Sequence, residues 1–412
     1  MVFLVVNLHL LRNVSLVLYL ALYLLTVAYV WVQYILSGKS QLLSGRGVAF
    51  YLWIATAFFA FVTSLLLISP SGAVQGLVRF LFAAPIFMAL VVFTDNLADL
   101  RKHLITFAGF FALASVSLPL QFFTGPISWF AEISERGGYV RYASLLGSLP
   151  TIGVMVGIYI VLSQCLSLKL RLLFLPLMII SAIVSLNKSA IVNVAIGVVI
   201  MALLNRRSIS KLAIGGVTLA LLVAIGALFV PGLDGRVATS LQSFGGLARD
   251  STVVNNDTNV LDGAWERIIT LPKANFDALR EIHSPLVYIT GAGYGMGNTA
   301  LVPSSDVLAP MAHNQFAEQL TVFGPLAGGI QFYILVMIGT ALKRSYSRTH
   351  QKVYLVVFLA FLLMMINSIF ANGTLYHPAG ASIFYLSLFV AVASDVLDNS
   401  VPVGRGRYGP LG

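Results

Sequence analysis

What most constrains this chain is the recurrence of apolar stretches about as long as a bilayer is thick. Crossing the hydrocarbon core takes about 20 residues of helix, and apolar runs near that length fall at 14–36, 47–69, 74–93, 103–123, 143–166, 171–186, 189–204, 212–230, 315–341, 353–371 and 379–395. Inside lipid each backbone N–H and C=O must find its partner within the protein, so runs of this kind become helices. Segment 1–11 is also apolar, and the Arg12-Asn13 punctuation makes it a candidate twelfth helix. The expected fold is therefore all-α, a polytopic membrane bundle of 11–12 transmembrane helices. Composition excludes the soluble alternative: 58% of the 412 residues are hydrophobic and 10% charged, against roughly a quarter charged in ordinary soluble chains. The lone Cys165 rules out a disulfide framework or a cysteine-rich metal site. The N-terminus lacks the basic start of a cleavable signal and reads as a retained membrane segment.

The formal charge of +10 looks at first like a nucleic-acid signal, but its distribution assigns it to topology. Fifteen of the 25 Lys and Arg fall in alternate connections, from Lys39 and Arg46 through Arg101, Lys102, Lys343, Arg344, Arg348 and Lys352 to Arg405 and Arg407. That is the positive-inside pattern, and it needs no nucleic acid. The chain divides into N-terminal membrane helices over 1–230 with a small outer loop at 122–142, a large outer loop over 231–312, C-terminal membrane helices over 313–396 and a polar tail over 397–412. A long loop in a chain of short connections is where function is expected. Within it, 271–282 reads as an amphipathic helix across the mouth of the bundle, with Pro272 in its first turn and Phe276, Leu279 and Ile282 on one face.

Candidate chemistry gathers on this outer side. His313 stands where the large loop meets the next span, in the run His313-Asn314-Gln315-Phe316-Ala317-Glu318. An imidazole there is suited to act as a base near neutral pH; the bland alternative is a polar helix start. Glu318, about one turn on, is placed to orient that histidine or to pair with an arginine. Arg267 and Arg280 offer planar forks that grip phosphate in two places, or surface ion pairs with Asp262, Glu266 or Asp277. The loop carries five cations and eight anions, so phosphate binding there must come from placed residues. Lys188 occupies a very short outer turn, as a substrate contact or a snorkelling anchor. Arg79 lies within an apolar run, about five residues from its outer end, where a charge is costly unless it snorkels. Arg136 and Arg141 flank Gly137-Gly138, near Glu132 and Glu135. The run Gly291-Ala292-Gly293-Tyr294-Gly295 is not the GxGxxG spacing of a nucleotide fold. It reads as a tight turn whose backbone approaches a ligand or packs against the bundle.

Taken in order, Arg267 with the helix after it, Ser284-Pro285, Gly291-Ala292-Gly293-Tyr294-Gly295, His313-Asn314 through Glu318, and Phe323-Gly324 with Gly328 resemble the Wzy/WaaL-like O-antigen polymerase and ligase superfamily. The resemblance extends more weakly to Arg79, 136–147 and Lys188. This chain has Asn187-Lys188-Ser189 where the family pattern carries an arginine, so a point charge replaces a fork. The resemblance implies a GT-C-like bundle in the bacterial inner membrane with its site facing the periplasm. The implied activity is inverting, metal-independent glycosyl transfer from an undecaprenyl-diphosphate-linked glycan, with no cofactor. His313 is then the catalytic base. Arg267, Lys188, Arg79, Arg136, Arg141, Arg280, Asn314 and Glu318 are the substrate-binding candidates. Implied partners are the lipid-linked glycan and membrane lipid, with a flippase and a chain-length regulator as further candidates. A repeat-unit polymerase, a ligase to lipid A core and a protein O-oligosaccharyltransferase share that donor and differ in acceptor. A lipid-linked glycan flippase would instead place ionisable groups near the midplane of its spans.

Overall fold

The helices begin and end where local chemistry dictates. In the computed structural model, which describes residues 2–7, 14–39, 47–127, 134–136, 139–145, 151–185, 187–204, 235, 265–296, 313–371 and 374–399, helix α1 is Val2–Asn7. Helix α2, Leu16–Ser37, is capped by the Ser15 hydroxyl, which accepts from the Leu18 N–H, and stops at Gly38 in the left-handed region. Helix α3 is Val48–Leu67. Ser69 caps α4, Pro70–Leu81, whose first position is a proline that has no N–H to orphan. Helix α5, Pro85–Phe93, completes one apolar stretch with it. The Asn96 side chain accepts from two backbone N–H groups to start α6, Leu97–Thr124. The remaining membrane-length or shorter helices are α7 (Thr151–Leu162), α8 (Leu168–Val184) and α9 (Lys188–Leu204). In the outer loop, a π-helical turn over Glu266–Thr270 leads into α10 (Leu271–Ala278), and α11 is Val287–Thr290. Helices α12 (Gln315–Thr349), α13 (Lys352–Phe370) and α14 (Pro378–Asn399) follow.

Seven helical stretches among the described residues are long and apolar enough to cross a bilayer: Leu16–Ser37, Val48–Leu67, Pro70–Phe93, Leu97–Thr124, Gln315–Thr349, Lys352–Phe370 and Pro378–Asp398. The protein is an all-α, multi-pass membrane bundle. Runs 143–166 and 189–204 contain the shorter apolar helices Thr151–Cys165 and Ser189–Ile200, and 171–186 corresponds to α8. Run 212–230 lies outside the described residues, as does the tail over 400–412. The N-terminal candidate is helical over Val2–Asn7 and packs inward: Phe3 stacks on Phe107 at 3.8 Å, and the Asn7 amide donates to Ser382 Oγ at 2.9 Å.

Burial ranks the spans. The apolar window of α14 is 83% buried and that of α2 only 17%, so α14 is the central post and α2 faces lipid. Helix α14 packs on α5, α12 and α13, with Trp53, Phe384, Phe87 and Phe389 among the largest buried side chains. Lipid tails are as apolar as leucine, so helices associate through close packing and polar contacts. Helices α7 and α9 do both. A Cβ on Gly157 would sit 2.8 Å from the Asn193 carbonyl oxygen, and the Asn193 amide donates to Gly153 O at 2.8 Å and to Asn367 Oδ1 on α13 at 2.7 Å.

Three local readings change. The small outer loop contains a hairpin, β1 (Ser134–Arg136) antiparallel to β2 (Tyr139–Arg141), with Ser134 opposite Arg141 and Arg136 opposite Tyr139; a Gly-Gly pair between strands is a favoured hairpin connection. The loop helix does settle on the bundle, but through Ala278, Leu279 and partly buried Ile282, which pack with Val287, Ala292, Met296 and Ile68. Phe276 stays 39% exposed, off the packed face, and the helix tightens into a 3-10 turn at Leu279–Glu281. Finally, α4 starts at Pro70, so Arg79 lies about 14 Å along the helix by its rise, deeper than a run starting at 74 suggests.

Candidate functional site

Helix α12 is broken in a way the sequence makes necessary. Gly324 has φ 66° and ψ 176°, a conformation open essentially to glycine, and Pro325 follows it. In an unbroken helix the Thr321 carbonyl would accept from residue 325, but proline has no N–H. The glycine-rich turn supplies the missing donors: Ala292 N–H bonds Thr321 O and Gly293 N–H bonds Val322 O, both at 2.9 Å. Such repair of a broken helix by neighbouring protein is what the bilayer demands. The approach leaves no room for side chains. A Cβ on Gly291 would fall 2.4 Å from Gly324 N, and one on Gly293 would fall 2.4 Å from Ser64 N on α3. Tyr294 locks the turn in place. Its hydroxyl donates to Ala57 O at 3.2 Å, its carbonyl accepts from Ser64 Oγ at 2.5 Å, and its ring lies over Gly76 of α4. Of the two readings of this run, the structure shows packing against the bundle.

The half-helix above the break carries the candidate site. Asn314 caps it, its side-chain oxygen accepting from Phe316 N at 3.0 Å and Ala317 N at 3.1 Å. His313, just before the cap, takes a left-handed φ of 49°, a conformation in which histidine is enriched. It is half-buried beside Arg267 and Glu266. Burial, reinforced by the Arg267 guanidinium and opposed by Glu266, holds its pKa below the ordinary 6.5. Exposed Arg267 reaches across from the π-helical turn, and its Nη1 donates to the Phe370 carbonyl at 3.0 Å, at the C-terminal end of α13, where helix carbonyls attract cations. Pro272 accounts for that turn: it cannot donate within the helix, and the preceding Leu271 N–H bonds five residues back, to Glu266 O.

Below His313, Gln315, Glu318 and Gln319 recur at helical spacing on one inward face and are at most 1% exposed. The turn between α13 and α14 meets that face. Buried Tyr376 stands against Gln319 and Glu318, and its pKa lies well above the ordinary value, from burial first and the nearby carboxylate second. His377 Nε2 lies 3.2 Å from Thr151 Oγ1 of α7.

The structure thus brings together three of the anticipated residues, His313, Asn314 and Arg267, and places Glu318 a turn below them, beside Tyr376. Arg280 stands apart on the surface, 3.4 Å from Asp277 Oδ1 with both side chains largely exposed. Arg79 is exposed on α4. Arg141 ends β2 half-buried, Arg136 lies in β1, and Lys188 opens α9; the side chains of Arg136 and Lys188 lie outside the described part. Sequence reasoning missed Gln315, Gln319, Tyr376 and His377. The two glutamines were detectable as a polar stripe with Glu318 in an otherwise apolar span; Tyr376 and His377 carried no signal, since only folding brings their turn to α12.

These features define a class: a multi-pass helical membrane protein whose polar centre sits on a broken helix at one end of the bundle. Compared with protein-family models and with curated proteins, the chain matches none.

Proposed function

We propose that the protein is a glycosyltransferase that polymerises undecaprenyl-diphosphate-linked oligosaccharide repeat units at the periplasmic face of the bacterial inner membrane. One observation carries the reading: a half-buried histidine beside an arginine, its pKa lowered by burial and by that cation, at the mouth of a membrane bundle. A neutral imidazole is the form that accepts a proton. In the proposed reaction His313 takes the proton of an acceptor sugar hydroxyl and that oxygen attacks the anomeric carbon of the donor. The bond from that carbon to the diphosphate oxygen breaks with inversion, and the lipid diphosphate leaves with the electron pair. Arg267 faces the charge that grows on the leaving group. Glu266 beside it acts in the opposite sense on His313 and favours the imidazolium that forms when the proton is taken.

The order of the resembling segments supports the same assignment, and the observed fit of the glycine turn to the broken helix gives that order a physical purpose. Deleting the gene and examining the cell's glycans tests it. Single capped repeat units are the expected result. Full-length polymer left on undecaprenyl diphosphate would indicate a ligase instead, and an unchanged glycan profile would refute glycan transfer. His313→Ala should reproduce the deletion while the protein remains in the membrane.

A further inference from the structure

The amide of Gln315 is fully buried, and among the described residues neither its nitrogen nor its oxygen has a hydrogen-bond partner. Gln319, one turn further on the same face, shares this on both amide atoms, and burying an amide unpaired is unfavourable. The position of Gln315 narrows the explanation. Gln315 is two residues from His313, in the first turn of α12, and shares an inward face with Glu318 and Gln319 opposite Tyr376. The amide is uncharged and offers both donors and an acceptor. It therefore matches a ligand group that also does both, which a sugar hydroxyl does and a phosphate does not.

The geometry points to Gln315 as a binding residue for the acceptor sugar, pairing ring hydroxyls next to the one His313 deprotonates, with Glu318 and Tyr376 as the wall behind. This rests on the glycosyl-transfer reading above. It makes Gln315 a specificity residue whose presence costs stability, so activity and stability should respond to its replacement in opposite ways.

Gln315→Met keeps the length and shape of the side chain and removes its polar atoms. In detergent, the variant should melt at or above the wild-type temperature, because an unpaired amide has been replaced by an apolar group. In membranes supplied with the cell's own undecaprenyl-diphosphate-linked repeat units, extension should fall about tenfold, with the loss expressed in the concentration of acceptor glycan needed for half-saturation. A melting temperature several degrees lower would show that the amide holds α12 in place and overturn the proposal, as would wild-type extension. His313→Ala run alongside separates the two claims. If it is inactive while Gln315→Met behaves as wild type, only the subsite falls; if it extends glycans normally, the glycosyl-transfer reading fails and the subsite with it.

Discussion

Replacing Gly324 by alanine tests the contact on which the site is mounted, and the size of the effect follows from the structure. The new Cβ would stand 2.3 Å from Gly291 N, 2.3 Å from Ile289 O and 2.4 Å from Thr290 C. All three are backbone atoms, so none can rotate aside. The backbone itself, at φ 66° and ψ 176°, disfavours any side chain by about 1–3 kcal/mol, and the overlap adds about 1–3 kcal/mol more. A loss of about 2–6 kcal/mol in a chain of 412 residues lowers the melting temperature by something on the order of 2–7 °C, measurable as an apparent midpoint in detergent. Gly291→Ala should cost a similar amount, since its Cβ would meet the other side of the same seam, 2.4 Å from Gly324 N. The double variant should lose less than the two single losses added, because either change alone opens the contact. Gly329 provides the control. It lies in the regular part of the same helix with nothing within 4 Å of its would-be Cβ, so Gly329→Ala should be neutral or stabilising by about 0.5–1 kcal/mol. Wild-type melting from Gly324→Ala, or an equal loss from Gly329→Ala, would refute the interlock of turn and broken helix.

The pH dependence of transfer should carry the electrostatics of His313. Its base form is lost as pH falls through a pKa held below 6.5, so the acid limb of kcat/KM should lie below pH 6.5. Arg267→Gln removes a neighbour that lowers this pKa and should move the limb upward; Glu266→Gln removes one that raises it and should move the limb downward. Shifts in the same direction would exclude His313 as the titrating base. Arg280→Ala should leave both melting temperature and glycan extension near wild type, since its ion pair with Asp277 is exposed and such pairs contribute little; a strong loss of extension would return Arg280 to the substrate site.

How far the sequence could be read depended on the range of the interactions involved. Helix α13 was legible because an apolar run of nineteen residues needs only its own backbone bonds to be stable in lipid. His313 and Asn314 were legible together because a capping side chain acts within three residues. Glu318 was legible by helical spacing, though whether it met the histidine, an arginine or neither was not. Tyr376 was not legible at all, being 58 residues beyond Glu318 in a turn with no periodic pattern. By residue type and loop position Arg280 and Arg267 were alike, the resemblance alone favouring Arg267, and the fold separates one held against the end of α13 from one left on the surface.

The glycines show where that boundary lies. Sequence by itself determined the class of fold and the alternation of basic and acidic loops, because these follow from burying a backbone in lipid; it read 315–341 as one span, and the break at Gly324-Pro325 came from the structure. It did not separate Gly324, packed against another backbone, from Gly329, which faces open space. Nor did it show that the donors for the Thr321 and Val322 carbonyls come from Ala292 and Gly293. Those are contacts between segments some thirty residues apart. Their existence depends on how the loop settles onto the bundle, and only the tertiary structure decides that.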